Sequence, residues 1–194
     1  MDTILKKIAV FADKAHGDQK RKYADERYIE HPLRVMRICK SHGYLLPVLA
    51  AAILHDVLED TPVTPGQIHE FLSSIMDQPN ALHTLDLVIE LTDVYTKHQY
   101  PKFNRRKRKL MEADRIELIS EEAQTIKYAD IIDNAKQMTQ HDPEFASVFL
   151  RECRMLIQKM SKGNANLREQ ALEILKKEMK QLRVHDLTPI VFLQ

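Results

Sequence analysis

Glycine is scarce in this chain, with four residues in 194, and there are eight prolines. A sandwich or barrel of short strands needs frequent turns, so long regular elements are expected instead. Cysteine is equally rare. Cys39 and Cys153 are far apart, fit no metal-binding spacing, and read as small apolar fillers on helices in a reducing compartment. Aromatic residues make up 6%, too few to stack single-stranded nucleic acid. Neither sign of charge prevails: Lys and Arg number 29, Asp and Glu 28, so no global field draws the chain onto nucleic acid or membrane. No run approaches the ~20 apolar residues of a membrane span. The apolar stretch after Lys6 and Lys7 is soon broken by Asp13 and Lys14, so no signal peptide is expected. A Gly-rich phosphate loop and a Gly-x-Ser-x-Gly elbow are both missing, which leaves serine or cysteine nucleophilic chemistry without support. The expectation is a soluble, cytoplasmic protein.

What is present is an apolar fraction of 44% and helical periodicity. Ile4, Ile8, Phe11, Ala12 and Ala15 predict a helix over about 2–16, followed by a polar loop over 17–28. Pro32 suits the first turn of a second helix that ends near Gly43. A central helix then runs from the apolar Leu45–Leu54 stretch to Thr61-Pro62, which stops it. Thr64-Pro65-Gly66-Gln67 reads as a capping box with proline at N1, opening a helix to about Ile75. Residues 77–80 are a connection, Leu82 to Leu91 a helix, and 92–101 irregular. A basic helix over Phe103–Leu118 follows, and Ser120 caps a long one through about Thr139. Asp142-Pro143-Glu144 starts the next, and Asn164 or Asn166 the last, which reaches about Arg183. The chain therefore reads as one all-α domain over 1–183 with a tail over 184–194. The tail's Ile190-Val191-Phe192-Leu193 favours burial, so a second copy of the chain is a conceivable partner.

The densest chemistry lies in His55-Asp56-Val57-Leu58-Glu59-Asp60. On a helix, His55 and Glu59 share one face, and Asp56 and Asp60 the adjacent one. Three carboxylates at a helix C-terminus meet the negative end of the macrodipole. A divalent cation is the obvious compensation, and His with Asp suits Mn, Fe or Zn. The bland alternative is a solvated helix end, which fits poorly with the apolar segment before it. His31, taken alone, is a capping or surface histidine beside Pro32. Asp130 is the best candidate for a further ligand. It belongs to a polar stripe of Lys127, Asp130, Asn134, Gln137 and His141, which by pattern alone faces water. The apolar residues flanking that stripe also permit a lined pocket. Two cationic clusters, Lys20-Arg21-Lys22 and Arg105 to Lys109, suit a small polyphosphate better than a long nucleic acid, although most of these charges read as solvated surface. His16, His42, His69, His83, His98 and His185 have no partner at a diagnostic spacing.

Together these residues resemble the HD-domain metal phosphohydrolases, and more narrowly the hydrolase domain of the RelA/SpoT alarmone family with its small stand-alone members. The resemblance covers roughly Phe11 to Lys136. It is carried in order by Arg21-Lys22, by Tyr28-Ile29-Glu30-His31-Pro32, by Ala51 through Thr61, by Pro101-Lys102 with Arg105-Arg106-Lys107, and by Lys127-Tyr128-Ala129-Asp130 with Asn134. The resemblance implies an HD-domain helical bundle with one Mn²⁺ on His31, His55, Asp56 and Asp130. It implies hydrolysis of guanosine 3′,5′-bis(diphosphate) to GDP and pyrophosphate, the alarmone chemistry of the stringent response, with no synthetase domain. Glu59 would then manage protons, and Asp60 would orient Glu59 or the water. Arg21, Lys22, Lys102, Arg105, Arg106 and Lys107 would neutralise the pyrophosphate, while Lys127 and Asn134 hold the nucleoside or a phosphate. Gln137 stands where family members often carry a threonine near the base. An adenine or other 3′-phosphorylated nucleotide is therefore the alternative substrate. A non-catalytic nucleotide-binding module is the alternative from another class, and it would need a damaged metal site.

Overall fold

A computed structural model of the chain describes residues 2–22 and 25–185. Its regular structure is helical, in ten elements: α1 (Thr3–His16), α2 (Glu30–Ser41), α3 (Leu46–Leu54), α4 (Val57–Asp60), α5 (Pro65–Ser73), α6 (Gln78–Leu91), α7 (Arg105–Ile116), α8 (Glu121–His141), α9 (Pro143–Lys159) and α10 (Ala165–His185). Strand-like pairing among the described residues is a single antiparallel bridge, Lys20 to Arg27, which closes the loop after α1. Short polar side chains start the helices where the sequence placed them. Thr64 and Gln67 form the reciprocal capping box of α5, and Ser120 and Asp142 cap α8 and α9. Asn164 starts α10, accepting from the Leu167 amide at 3.0 Å.

Two expectations are corrected. Residues 77–80 are not a separate connection: Asp77 caps α6, accepting from the Asn80 amide at 3.0 Å, so helix begins at Gln78. The central helix is not continuous. It breaks at His55-Asp56 into α3 and the single turn α4. The break removes Glu59 and Asp60 from the C-terminal end of α3 and sets them at the end of the single turn α4, whose four residues sum to little macrodipole of their own. The tail segment Ile190 to Leu193 lies outside the described residues.

α3 is the apolar centre, with Val48 through Leu54 all buried. Its three consecutive alanines, Ala50, Ala51 and Ala52, allow α1, α2, α6 and α8 to pack around it. α8 is the second organising element, lying against α2, α6, α9 and α10. Its Tyr128 is fully buried and donates to the Met160 carbonyl at 2.8 Å, tying α8 to the turn before α10. Gly163 in that turn admits no side chain. A Cβ there would sit 2.7 Å from Tyr128 Cε2 and 2.9 Å from the Thr125 backbone nitrogen. Gly163→Ala should therefore cost about 1–3 kcal/mol through overpacking. At about 2–4 °C per kcal/mol for a chain of this size, calorimetry should show a clear fall in melting temperature. A wild-type melting temperature would mean that the turn yields freely.

Candidate metal centre and active-site cavity

Three elements meet at one point. α2 brings His31, the α3–α4 break brings His55 and Asp56, and α8 brings Asp130. One ligand atom from each of His31, His55 and Asp56 lies within 4.8 Å of the others. His31 Nε2 is 3.2 Å from Asp130 Oδ1 and 3.7 Å from Asp56 Oδ2. His55 Nε2 is 3.2 Å from Asp56 Oδ1 and 3.8 Å from Asp130 Oδ1. Ligands bonded at ~2.1 Å to one cation stand ~3.0–3.4 Å apart by simple geometry; the two separations of 3.2 Å fall in that range, and those of 3.7 and 3.8 Å exceed it.

The tautomers turn both Nε2 lone pairs inward. His55 Nδ1 is 2.9 Å from the Ala52 carbonyl. A carbonyl only accepts, so Nδ1 carries the proton and Nε2 of the neutral ring presents a lone pair. That Nε2 is buried without a hydrogen-bond partner, beside two carboxylates. His31 Nδ1 donates to Asp133 Oδ2 at 2.7 Å, which likewise turns its Nε2 lone pair inward. Two imidazole lone pairs facing two carboxylates demand a positive centre. Without a metal that centre is a proton: burial opposes the imidazolium, but Asp56 and Asp130 push the His55 pKa up to about 9. A divalent cation satisfies the same demand with all four groups deprotonated, so the residues present fit a metal.

A cavity opens from this centre, walled by Arg21, Tyr28, Glu59, Asp60, Asp93, Arg105, Lys109, Lys127, Asn134 and part of α9. Lys127 pairs with Asp130 Oδ2 at 3.0 Å. Burial opposes the ammonium, yet Asp130, Asp93 and Glu59 raise its pKa. Burial also opposes the Asp130 carboxylate, but Lys127 and the two histidines hold its pKa well below the usual range. Glu59 behaves differently. Although water reaches it at the cavity rim, enclosure by the wall, then Asp93 and Asp56, push its pKa up to about 7, with Lys127 opposing. Its Oε2 accepts from the Asp93 amide at 3.3 Å.

His31, His55, Asp56 and Asp130 come together, and Arg21, Glu59, Asp60, Arg105, Lys127 and Asn134 line the cavity. Lys22, Lys102, Arg106, Lys107 and Gln137 do not line it. Lys22 lies over the Phe145 ring at 5.8 Å, and Lys107 over Phe103 at 3.7 Å. Gln137 is engaged by Arg21 and Glu26. Arg105 is forked to Glu152 of α9 at 2.8 and 2.7 Å.

Other residues at the site are not singled out individually in the sequence: Tyr28 stands only within the His31 motif, Lys109 only within the cationic run, and Asp93 carries no signal. The Tyr28 hydroxyl stands 2.7 Å from both Asp56 Oδ2 and Asp60 Oδ2, one proton serving two carboxylates. Burial and those two charges raise its pKa, so the phenol stays a donor. Asp93 and Lys109 pair at 2.9 Å in the cavity wall. Asp93 is held there because Glu112 accepts from the Val94 and Tyr95 amides, both at 3.0 Å, and Arg115 donates to the Glu90 and Thr92 carbonyls at 2.8 and 3.2 Å.

A helical bundle that brings two histidines and two aspartates from three elements together, three of them placed so that they could hold a metal ion, has the arrangement of an HD-type protein. Residues 9–156 match the family model of the HD domain, and the chain belongs to that family. It is 33% identical over 144 residues to guanosine-3′,5′-bis(diphosphate) 3′-pyrophosphohydrolase MESH1 of Xenopus tropicalis, spanning 73% of each chain. The human counterpart of that name is 31% identical over 143 residues, 72% of each chain. A solved structure described as a metazoan ortholog of SpoT that hydrolyses ppGpp superimposes with a TM-score of 0.75. That match covers 91% of this chain and 96% of the other at 24% identity, and it supports the fold. No helix among the described residues is long and apolar enough to cross a membrane.

Proposed function

We propose that the chain hydrolyses guanosine 3′,5′-bis(diphosphate) to GDP and pyrophosphate, with Mn²⁺ held by His31, His55, Asp56 and Asp130. The observation that carries this reading is the buried, unpartnered Nε2 of His55, aimed with His31 Nε2 at two carboxylates on the floor of a cavity that also presents Arg21, Arg105, Lys109 and Lys127. The names of the relatives favour the same substrate.

Four cations on the wall match a diphosphate group through charge-assisted hydrogen bonds that strengthen as charge builds on the transferred phosphorus oxygens. A divalent cation at the centre would acidify water toward neutral pH and offset substrate charge. In the net step, a bond forms from the water oxygen to the phosphorus, and the bond from that phosphorus to the 3′ oxygen breaks. Glu59, with a pKa near 7, takes the water proton at Oε, and the leaving 3′ oxygen gains a proton. Tyr28 keeps Asp56 and Asp60 in fixed orientation. Asp60, next to Glu59 in the chain and held by the Tyr28 hydroxyl, orients the attacking water. Asn134 and Lys127 steady Asp130 while facing the substrate. The same reading takes 1–183 as one hydrolase domain in the cytoplasm, with a small-molecule substrate and neither nucleic acid nor membrane as partner.

The test is incubation with guanosine tetraphosphate, with and without Mn²⁺, and identification of the products by chromatography. GDP with pyrophosphate in equal amounts is expected, and only with the cation. Tight nucleotide binding without turnover would instead make the chain a binding module, and faster turnover of the adenine counterpart would change the substrate.

A further inference from the structure

Arg21 reaches the metal centre without touching it. Its Nη2 donates to Asn134 Oδ1 at 2.6 Å, and Asn134 Nδ2 donates in turn to Asp130 Oδ1 at 2.5 Å. A second path leaves the same guanidinium. Nη2 and Nε donate to Gln137 Oε1 at 3.0 and 3.3 Å, and Gln137 Nε2 donates to Glu26 Oε1 at 3.2 Å. Glu26 is held in a fork by Arg34 Nη1 and Nη2 at 3.0 and 2.7 Å. Arg34 Nε donates to Asp133 Oδ1 at 2.7 Å, and Asp133 Oδ2 accepts from His31 Nδ1 at 2.7 Å. The two paths end on Asp130 Oδ1 and His31 Nε2, which are 3.2 Å apart, so they close a ring.

Both ends of the Gln137 amide are engaged in this ring. The reverse amide orientation would set its NH₂ against a guanidinium and its oxygen against a carboxylate, so the assignment is forced. We propose that the ring couples nucleotide binding to metal binding, and that Gln137 is a positioning residue within it rather than a reader of the base. The inference rests on His31 and Asp130 as metal ligands and on Arg21 as a substrate cation.

The bonds to Asn134 and Gln137 use Nε and Nη2, which leaves the Nη1 end of Arg21 for an anion. A phosphate can therefore share the guanidinium without opening the ring. An anion seated there holds Arg21, and through Gln137 it holds Glu26. Glu26 keeps Arg34 on Asp133, and Asp133 keeps the His31 lone pair turned to the metal. In the other direction, a cation on His31 and Asp130 holds Asp133 and Asn134 still, and through them Arg21. Coupling between two binding equilibria is reciprocal, so both directions carry the same factor.

The test uses Gln137→Met, which keeps length and apolar bulk at a half-buried position and cuts the ring at one point. Mn²⁺ binding to the substrate-free chain is measured by calorimetry. KM and kcat are measured at saturating Mn²⁺ for the guanosine and adenosine tetraphosphates. The expected loss of Mn²⁺ affinity is about threefold to tenfold, less than the ~10–100-fold for losing a direct outer partner of a ligand. KM should rise by one common factor for both nucleotides, with kcat little changed. Arg34→Lys keeps the charge but not the fork. It cuts the ring elsewhere and should lower Mn²⁺ affinity further, which keeps the proposal testable should Gln137→Met misfold. Unchanged Mn²⁺ affinity in both variants overturns the coupling. A tenfold change in the guanine-to-adenine ratio of kcat/KM makes Gln137 a base reader after all. A wild-type chain that binds no Mn²⁺ and hydrolyses neither nucleotide removes the underlying reading, whereas a normal wild type with silent variants removes only the coupling.

Discussion

Adding Mn²⁺ at about a hundred times its dissociation constant should raise the melting temperature of the wild-type chain by about 5–10 °C, and Asp56→Asn should abolish that rise. A ligand at such an excess stabilises the folded state by about 2.7 kcal/mol, and a chain of this size gains roughly 2–4 °C per kcal/mol. Asparagine keeps an acceptor for the Tyr28 hydroxyl, so the surrounding geometry should survive. It removes one of the two carboxylates that crowd His55 Nε2. In chelator those carboxylates hold His55 as the imidazolium, so the variant should melt at or below the wild-type temperature. Its turnover should fall by about three orders of magnitude or more, the equivalent of several kcal/mol of lost Lewis-acid stabilisation. Thermal unfolding with Mn²⁺ and with chelator separates the outcomes. An undiminished Mn²⁺ response in Asp56→Asn removes Asp56 from the ligand set, and no response in the wild type removes the site itself.

How far such a site can be read in the sequence depends on the range of the contacts that make it. Helix type and most helix starts are local, and Thr64, Ser120, Asp142 and Asn164 stand out as caps because each bonds an amide only three residues away. His55 and Asp56 stand out because they are adjacent and follow an apolar run. The break between them is not visible, since periodicity is nearly the same for one bent helix as for two. The cation run at Arg105 to Lys109 shows the opposite limit. Five charges in a row cover every side of a helix, and only the i, i+4 pair Arg105 and Lys109 faces the cavity. The outer shell is hidden altogether. Arg34 and Asp133 are 99 residues apart, and Arg21 and Gln137 116 apart, so no spacing rule connects them. Asp93 sits in an aperiodic segment positioned by Glu112 and Arg115 of the next helix, a placement that only the folded chain reveals.

Glu59→Gln should cut turnover by about two to four orders of magnitude, the usual range for a positioned proton-transfer group, while leaving Mn²⁺ binding in place. The amide keeps the size of the side chain and an acceptor for the Asp93 amide, but it cannot take a proton from water. The same substitution should stabilise the metal-free fold, and the sign follows from the pKa. Glu59 titrates near 7 in the folded chain and near an ordinary ~4.3 when unfolded. Between those values the folded state binds more protons, so the Glu59 contribution to stability declines as pH rises from about 4.3 to 7 and then levels off. Glutamine does not titrate. In chelator the variant should therefore gain melting temperature relative to wild type as pH rises, and hold that gain above pH 7, with little difference near pH 4. Wild-type turnover should rise through the same range as Glu59 becomes able to accept a proton, and the residual turnover of the variant should lose that limb of the profile. Near-wild-type turnover in Glu59→Gln would end the assignment of Glu59 to proton transfer. A stability difference that did not grow with pH would show instead that Asp93 and the cavity wall leave its carboxyl unperturbed.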